Sequence, residues 1–212
     1  MKLYTYYRSS AAYRVRIALN LKGIQYESVP VNLLPGAHRQ PEYLGRNPQG
    51  LVPALEDDGA VIGQSLAVIE YLEESHPQPP LLPRSALDRA RVRSMALTIA
   101  CDVHPLNNLR VLNYLRSPLG QDEAAVDTWY RHWIAEGFRG LEEEVRRWSG
   151  DGHHMFGTQV TLADVCLVPQ MFNARRFKCN IEPFSTLRAI CAHLETLPAF
   201  ARAAPAAQPD AV

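Results

Sequence analysis

The spacing of apolar residues changes character near residue 80. Before that point, apolar and aromatic residues come in short runs typical of β-strands, at Lys2–Tyr7 and Tyr26–Leu33. Pro30 in the second run favours the edge of a sheet, because proline cannot donate to a neighbouring strand. Two further runs flank Asp58-Gly59, a strong hairpin signal. With the helical spacings between these runs, residues 1–80 are predicted to fold as β-α-β-α-β-β-α.

The rest of the chain follows a helical period throughout. The segment His76–Ser85 contains four prolines and is the predicted linker, because proline cannot continue a helix. The pattern then predicts four helices, the first bent at Pro105, over residues 86–117, 122–148, 161–177 and 185–200. We therefore expect an α/β domain over residues 1–80 and an all-α domain over residues 86–212. The final ten residues, AAPAAQPDAV, are expected to be mobile.

A capping box is predicted at the start of the third of these helices. Thr161 and Asp164 have the spacing at which each side chain bonds the other residue's backbone N–H, and Val160 could pack against Val165. This motif starts a core helix, and we expect it to carry no chemistry.

Charge and cysteine content exclude several classes of function. Lys+Arg and Asp+Glu both total 22, so nothing favours a nucleic-acid partner. The four cysteines lack CxxC spacing, and His153-His154 in a glycine-rich loop is expected to face solvent, so no metal site is predicted. No signal-peptide pattern and no membrane-spanning apolar run is found, which favours a cytoplasmic protein without a membrane partner.

The stretch "YYRSSAAYRVRIAL" places Arg8, Ser9 and Ser10 where a strand turns into a helix. A helix that begins at these serines presents free backbone N–H groups and a positive dipole end, and a hydroxyl there can donate to an anion. The simpler interpretation is that one serine is only the N-cap. No CxxC motif is present and Ala11 follows, so a redox helix is excluded.

Two other short segments have the character of binding sites. Pro53 enters a strand directly after a turn, which suits a cis peptide that leaves the backbone edge at Val52 open to a ligand. Gln64 and Ser65 begin a helix, which is a second site for an anion. Two helix N-termini and one open backbone edge in a small domain could bind a peptide-like anion.

These segments, taken with others in the same order, resemble the zeta class of the glutathione transferases, the maleylacetoacetate and maleylpyruvate isomerases. The resemblance lies in "YYRSSAAYRVRIALNLKGI", "NPQGLVPAL", "GQSLAVIEYLEE", "HPLNNLRVLNYL", "TLADVCLVPQMFNARRF" and "LPAFARAAPAAQPD". It implies a thioredoxin-like N-terminal domain followed by a helical domain, usually in a homodimer. It also implies a cytoplasmic enzyme of aromatic compound or tyrosine catabolism.

The resemblance implies that glutathione is the cofactor. By position, Ser9 faces the glutathione sulfur with Ser10 beside it, and the backbone at Val52 and Pro53 pairs with the cysteinyl part. Gln64 and Ser65 hold the γ-glutamyl carboxylate. The remaining implied contacts are His38 at the glycyl end and, from the helical domain, His104 and Asn108.

The resemblance also implies the reaction and its substrate contacts. The thiolate adds to the cis double bond of a maleyl diacid, the bond rotates, and elimination gives the fumaryl product. Arg8, Arg110 and Arg176 resemble arginines that hold the substrate carboxylates. The family motif Ser-Ser-Cys reads Ser-Ser-Ala here, and Ala11 leaves open both the pocket shape and which serine faces the sulfur.

Two other functions remain as alternatives from the sequence. A general glutathione transferase that conjugates or dehalogenates electrophiles would share the glutathione residues but would not need several arginines at one pocket. A transferase-like interaction module would have lost the glutathione contacts, whereas Val52, Pro53, Gln64 and Ser65 are all present. The physiological diacid, maleylacetoacetate or maleylpyruvate, is not specified by these patterns.

Overall fold

The computed structural model describes residues 1–211, which form two compact units. The first unit comprises Met1–Pro80 together with the C-terminal residues from Thr196 onward, and the second comprises Leu81–Glu195. The boundary after Pro80 falls inside the proline-rich segment His76–Ser85. Proline interrupts regular structure in this segment.

A four-stranded mixed sheet forms the centre of the first unit. Its strands are β1 (Lys2–Thr5), β2 (Glu27–Pro30), β3 (Ala54–Asp57) and β4 (Ala60–Gly63), in the spatial order β2-β1-β3-β4. β1 pairs with β2 in parallel and with β3 antiparallel, and β3 pairs antiparallel with β4. Pro30 lies on an edge strand, as predicted. Asp58 and Gly59 both have positive φ, which is the backbone that a tight hairpin turn requires.

Helices pack around this sheet and complete the first unit. They are α1 (Ser10–Leu21), α2 (Pro41–Leu44), α3 (Ser65–Ser75) and, at the other end of the chain, α9 (Pro198–Ala203), with 3₁₀ turns at Ala37–Arg39 and Pro205–Ala207. The predicted order β-α-β-α-β-β-α is therefore confirmed. Leu3, Ile17, Leu55 and Leu72 are fully buried between the sheet and its helices.

The C-terminal residues differ from the expectation of an all-α domain over residues 86–212 with a mobile tail. α9 packs on α1, where Asn20 Nδ2 donates to Ala199 O at 2.9 Å and Arg16 Nε donates to Ala203 O at 3.0 Å. Gln208 Nε2 donates to the carbonyls of Arg202 and Ala204, both at 2.9 Å. These bonds satisfy carbonyl groups that a helix end leaves unpaired, and they hold the tail in place.

The second unit is built from helices. They are α4 (Ala86–Leu97), α5 (Leu109–Arg116), α6 (Glu123–Trp148), α7 (Leu162–Arg176) and α8 (Ser185–Thr196). The predicted helix over residues 86–117 is divided: a π-helical turn at Thr98–Val103 and a 3₁₀ turn at Pro105–Asn107 separate α4 from α5. Pro105 explains the break, because it lacks an N–H and its ring clashes with the preceding turn. Pro198 likewise separates α8 from α9.

The capping box at the start of α7 is confirmed. Asp164 Oδ2 accepts the Thr161 N–H at 2.7 Å, and Oδ1 accepts the Met155 N–H at 2.8 Å. The carboxylate thus joins the preceding loop to the first turn of α7, which is a structural role.

No helix within residues 1–211 has the length and apolar character to cross a bilayer. No group of three or more His, Cys, Asp or Glu side chains in this part of the chain could hold a metal ion. None of the four cysteines forms a disulfide within residues 1–211; Cys166 and Cys191 are buried, whereas Cys101 is exposed.

Two glycines of α6 provide a test of the packing that supports the segment before His104. A Cβ built on Gly137 would lie 2.1 Å from Cγ2 of Val103, whereas one on Gly140 would meet nothing within 4 Å. We expect Gly137→Ala to destabilise the protein by about 1–3 kcal/mol, because the β-branched Val103 cannot move aside freely. Gly140→Ala should stabilise it by about 0.5–1 kcal/mol through helix propensity. Chemical denaturation measures both changes, and equal effects would contradict the close approach.

Candidate active site

The strand register brings three candidate segments to one edge of the sheet. Tyr4, near the end of β1, faces Ala54 at the start of β3, and Ala54 also faces Gly63 at the end of β4. The loop that carries Ser9 follows β1, Val52 and Pro53 precede β3, and Gln64 follows β4. All three segments therefore leave the sheet on the same side.

Ser9 is the N-cap of α1. Its backbone is extended, and its Oγ accepts the Ala12 N–H at 3.2 Å. Capping uses a lone pair of the hydroxyl oxygen and leaves the hydrogen free to be donated to an anion. Ser10 lies one position inside the helix and is buried, whereas Ser9 is half-buried. The capping interpretation is thus correct for Ser9, and it leaves this hydroxyl able to serve a ligand as well.

Arg8 is oriented by the tyrosine that precedes it. Its Nε donates to the Tyr7 phenol oxygen at 2.6 Å, and its Cζ lies 4.9 Å from the Tyr7 ring centroid. Tyr7 is buried, so this support is rigid. Tyr7 was not among the predicted site residues, since its aromatic neighbours favour a strand position.

Val52 and Pro53 are joined by a cis peptide bond, as predicted. The preceding carbonyl, that of Leu51, accepts from Tyr43 Oη at 2.6 Å and from Asn47 Nδ2 at 2.8 Å. Burial raises the pKa of Tyr43 to about 12, so its phenol keeps the proton that it donates. No hydrogen bond joins the Val52 backbone to another described residue. Its polar groups are thus available to pair with an extended peptide.

Gln64 and Ser65 form the start of α3. Gln64 has a φ of 66°, unusual for a residue with a side chain, and its Nε2 donates to Gln49 Oε1 at 2.8 Å. Ser65 Oγ accepts from Nη1 of Arg14 at 3.3 Å. Arg14 is 1% exposed, so a buried cation lies behind the helix N-terminus. The two positive features favour a carboxylate at this position.

His38 lies on the 3₁₀ turn at Ala37–Arg39 and is half-buried. Its Nδ1 is buried and has no hydrogen-bond partner among residues 1–211. Burial, and secondarily the charge of Arg39, lowers the pKa of His38, so the imidazole is neutral near pH 7. A Cβ on Gly50 would lie 3.0 Å from the His38 carbonyl oxygen, which places the loop before Val52 beside this histidine.

The second unit contains the other candidates. Asn108 is the N-cap of α5, and its Oδ1 accepts the Arg110 N–H at 3.1 Å. Arg110 lies in the first turn of that helix and is exposed, and His104, just after the π-helical turn, is half-buried. Asn108 thus has a structural role that the sequence analysis did not predict.

One turn of α6, at Trp129 and Tyr130, contacts both the segment between His104 and Asn108 and the residue that follows α7. Trp129 Nε1 donates to Leu106 O at 2.8 Å, and Asn107 Nδ2 donates to Tyr130 O at 3.2 Å. The Tyr130 ring stacks on Phe177 with 3.6 Å between centroids. Within the second unit, the segment between His104 and Asn108 therefore lies near the end of α7.

Arg175 and Arg176 have different environments at that end of α7. Arg175 Nη1 pairs with Glu195 Oε1 at 2.5 Å. Arg176 has no acidic partner within the part of the chain that the structure describes; its Cζ lies 4.7 Å from the Phe177 ring centroid. Burial raises the pKa of Tyr130, and the Arg176 guanidinium, which interacts with that phenol, opposes the rise.

Arg8, Arg110 and Arg176 share this lack of an acidic partner, in contrast to many arginines of the chain. Eight others form ion pairs with Asp or Glu. A guanidinium without an internal carboxylate can bind one from a ligand, with two parallel hydrogen bonds.

Comparison with known proteins decides the family. The family model described as glutathione S-transferase, N-terminal domain, matches residues 3–80. Maleylacetoacetate isomerase of Pseudomonas aeruginosa is 50% identical, and the match covers 99% of this chain and 98% of that protein. The chain belongs to the zeta class of the glutathione transferases.

Solved structures of zeta-class proteins agree in fold. A holo structure of a bacterial maleylpyruvate isomerase of the zeta class has a TM-score of 0.98 and 48% identity over all of both chains. Maleylacetoacetate isomerase of Methylobacterium extorquens, solved with bound malonate and glutathione, has a TM-score of 0.96 and 41% identity over all of both chains. The glutathione transferase fold, a thioredoxin-like domain followed by a helical region, is thereby confirmed.

The first unit of this chain contains no cysteine: the first in the sequence is Cys101, and Ala11 stands in the first turn of α1. Thiol chemistry by the first unit alone therefore needs a thiol from a ligand.

Proposed function

We propose that this chain is a glutathione-dependent cis–trans isomerase of maleyl diacids, with maleylacetoacetate or maleylpyruvate as substrate. Relatives of this name match over nearly the whole chain, and a related structure binds both glutathione and the dicarboxylate malonate. The observation that favours an isomerase of diacids over a general transferase is that these relatives are maleylacetoacetate and maleylpyruvate isomerases. Arg8, Arg110 and Arg176, which have no acidic partner among residues 1–211, are available to bind the carboxylates of such a substrate.

The first unit has groups that fit glutathione. The unpaired backbone of Val52, beside Pro53, would bind the cysteinyl peptide group, and the start of α3 at Gln64 and Ser65 would bind the γ-glutamyl carboxylate, with Arg14 behind it. The unpartnered Nδ1 of His38 is available to the glycyl end. We also assign His104 and Asn108 to glutathione, because they match family positions.

Glutathione supplies a thiol whose thiolate adds reversibly to the cis double bond. Ser9 stabilises the charged sulfur with a hydrogen bond worth about 1.5–3 kcal/mol, and the α1 dipole contributes about 0.3–2 kcal/mol. Both lower a thiol pKa that is ordinarily about 8.5, so the thiolate predominates at neutral pH. Ser10 is buried and has a smaller part in our assignment.

The arginines act on the diacid. Arg8, which adjoins Ser9 and is fixed by Tyr7, stabilises the negative charge that develops on the substrate as the double bond is lost. Arg110 and Arg176 hold the far carboxylate. We further propose that the protein is cytoplasmic and forms a homodimer. Analytical ultracentrifugation of the purified protein would test the oligomeric state.

We expect turnover to require glutathione without consuming it. Conversion of maleylpyruvate and of maleylacetoacetate should be followed with and without glutathione, while free thiol is titrated in parallel. Isomerisation with constant free thiol is the expected result, because elimination returns the cofactor. Loss of one thiol per turnover would contradict the isomerase and support the conjugating transferase.

A further inference from the structure

Every polar group of Tyr7 is held by another residue of the first unit. Its N–H donates to Asp210 Oδ2 at 3.0 Å, and its carbonyl accepts from Arg16 Nη2 at 3.1 Å. Its phenol accepts from Arg8 Nε at 2.6 Å. Tyr7 thus connects the C-terminal tail and the interior of α1 to the arginine beside Ser9.

Arg16 is fully buried and bonds the strand end that leads into this loop. Besides the Tyr7 carbonyl, its guanidinium donates to Thr5 Oγ1 at 3.0 Å and to the Tyr6 carbonyl at 3.4 Å. Burial lowers the pKa of Arg16 to about 10, and Tyr26 and Asp210 oppose that change. Arg16 therefore stays charged at neutral pH, and its planar donors fix several consecutive acceptors at once.

Asp210 reaches Tyr7 from 203 positions away in the sequence. Its second oxygen, Oδ1, is buried and has no hydrogen-bond partner among the described residues. A buried carboxylate oxygen without a hydrogen-bond partner costs free energy, and the attraction between Asp210 and the buried Arg16 guanidinium offsets part of that cost. The other oxygen, Oδ2, accepts the Tyr7 N–H and fixes the position of the Tyr7 backbone.

We propose that Asp210 and Arg16 are positioning residues of the isomerase, which fix both backbone groups of Tyr7 and thereby the placement of Arg8 and Ser9. This inference rests on the proposed function. The Ser9 N–H donates to the Tyr6 carbonyl at 2.9 Å, so a shift of the Tyr6–Tyr7 backbone moves the hydroxyl of Ser9 as well. The phenol of Tyr7 would carry the same shift to Arg8.

Asp210→Ala tests the proposal, with Asp210→Asn and Gln208→Ala as controls. Asparagine keeps an oxygen that can accept the Tyr7 N–H, whereas Gln208→Ala removes two bonds within the tail and none to the loop. The full-length variants should be compared by kcat, by KM for the diacid, and by glutathione affinity from calorimetry. Titration of thiolate absorbance in the glutathione complex adds a readout that needs no diacid.

For Asp210→Ala we expect kcat to fall about 10- to 100-fold, as a displacement near 1 Å would cause, with glutathione affinity within about threefold of wild type. The pKa of the bound thiol should rise by about half a unit, because Ser9 is no longer held in place. Asp210→Asn should restore most of the loss, and Gln208→Ala should behave as wild type. Tyr7→Phe, which removes only the support of Arg8, should lower kcat and leave the thiol pKa unchanged.

Three results would overturn the proposal. They are an unchanged kcat and thiol pKa in Asp210→Ala, an equal loss in Gln208→Ala, and an unchanged kcat in Tyr7→Phe. A wild-type protein that isomerises neither diacid would instead refute the proposed function. The assay of the wild-type protein with both diacids therefore distinguishes a failure of the proposed function from a failure of the positioning proposal.

Discussion

Replacing Arg176 by alanine is expected to raise the KM for the maleyl diacid by about 30-fold or more. Arg176 is exposed in this structure, so the expected effect requires that the bound diacid buries the ion pair. Removing one partner of a buried, hydrogen-bonded charge pair costs about 2–5 kcal/mol, because the carboxylate left behind is unpaired, and 1.4 kcal/mol corresponds to a factor of ten. The residues proposed for most of the glutathione contacts belong to the first unit, so the Kd for glutathione should change less than about twofold. Steady-state kinetics and calorimetry on the same preparation measure both.

Arg175→Ala is the matched control. Arg175 is adjacent in sequence and carries the same charge, but it is paired with Glu195 at 2.5 Å. That pair is 41% and 35% exposed, so its loss should change stability by no more than about 1 kcal/mol and leave KM unchanged. Equal effects of the two variants would mean that overall charge, not a specific contact, attracts the diacid. An unchanged KM in Arg176→Ala would remove Arg176 from the site.

The fold of the first unit was largely predictable because its signals are local. Strand-like runs, a turn at Asp58-Gly59 and helix starts near Ser10 and Ser65 each depend on neighbouring residues, and the structure confirms their order. The tail was not predictable in this way. Its alanines and prolines have the composition of a mobile terminus, whereas its order depends on Arg16 and Tyr7, far away in the chain.

The residues of the candidate site also fall into two groups: those predictable from local sequence and those whose role depends on residues far away in the chain. Helix starts and the resemblance indicate Ser9, Gln64 and Ser65, and the strand register brings their segments to one edge of the sheet. Arg14 and Arg16 were missed, because arginines in a helical pattern are usually solvated. Their apolar neighbours Val15 and Ile17 were the available signal: a helix apolar on all sides must satisfy its cations with internal acceptors.

Replacing Ser9 by alanine is expected to raise the pKa of the bound glutathione thiol by about 1–2 units. This follows from the loss of a charge-assisted hydrogen bond worth about 1.5–3 kcal/mol, since one pKa unit corresponds to 1.36 kcal/mol. Below the new pKa, the thiolate fraction falls tenfold for each pH unit. The variant should therefore be about 10- to 100-fold slower at pH values below the wild-type thiol pKa, less affected near neutral pH, where the wild-type thiol is already mostly ionised, and close to wild type in alkaline solution.

Two other variants separate this effect from the capping role of Ser9. Loss of the cap alone should cost about 1 kcal/mol of stability, and Ser9→Thr, which keeps both a cap and a donor, should recover much of the activity as well as the stability. Ser10→Ala changes a buried hydroxyl inside the helix and should shift the thiol pKa less. Thiolate absorbance recorded against pH gives the pKa of the bound thiol in each variant, and the acid limb of the rate profile gives a second value of the same pKa. A larger shift in Ser10→Ala would reverse the assignment of the two serines, and no shift in either would leave the α1 dipole as the main cause of the lowered thiol pKa.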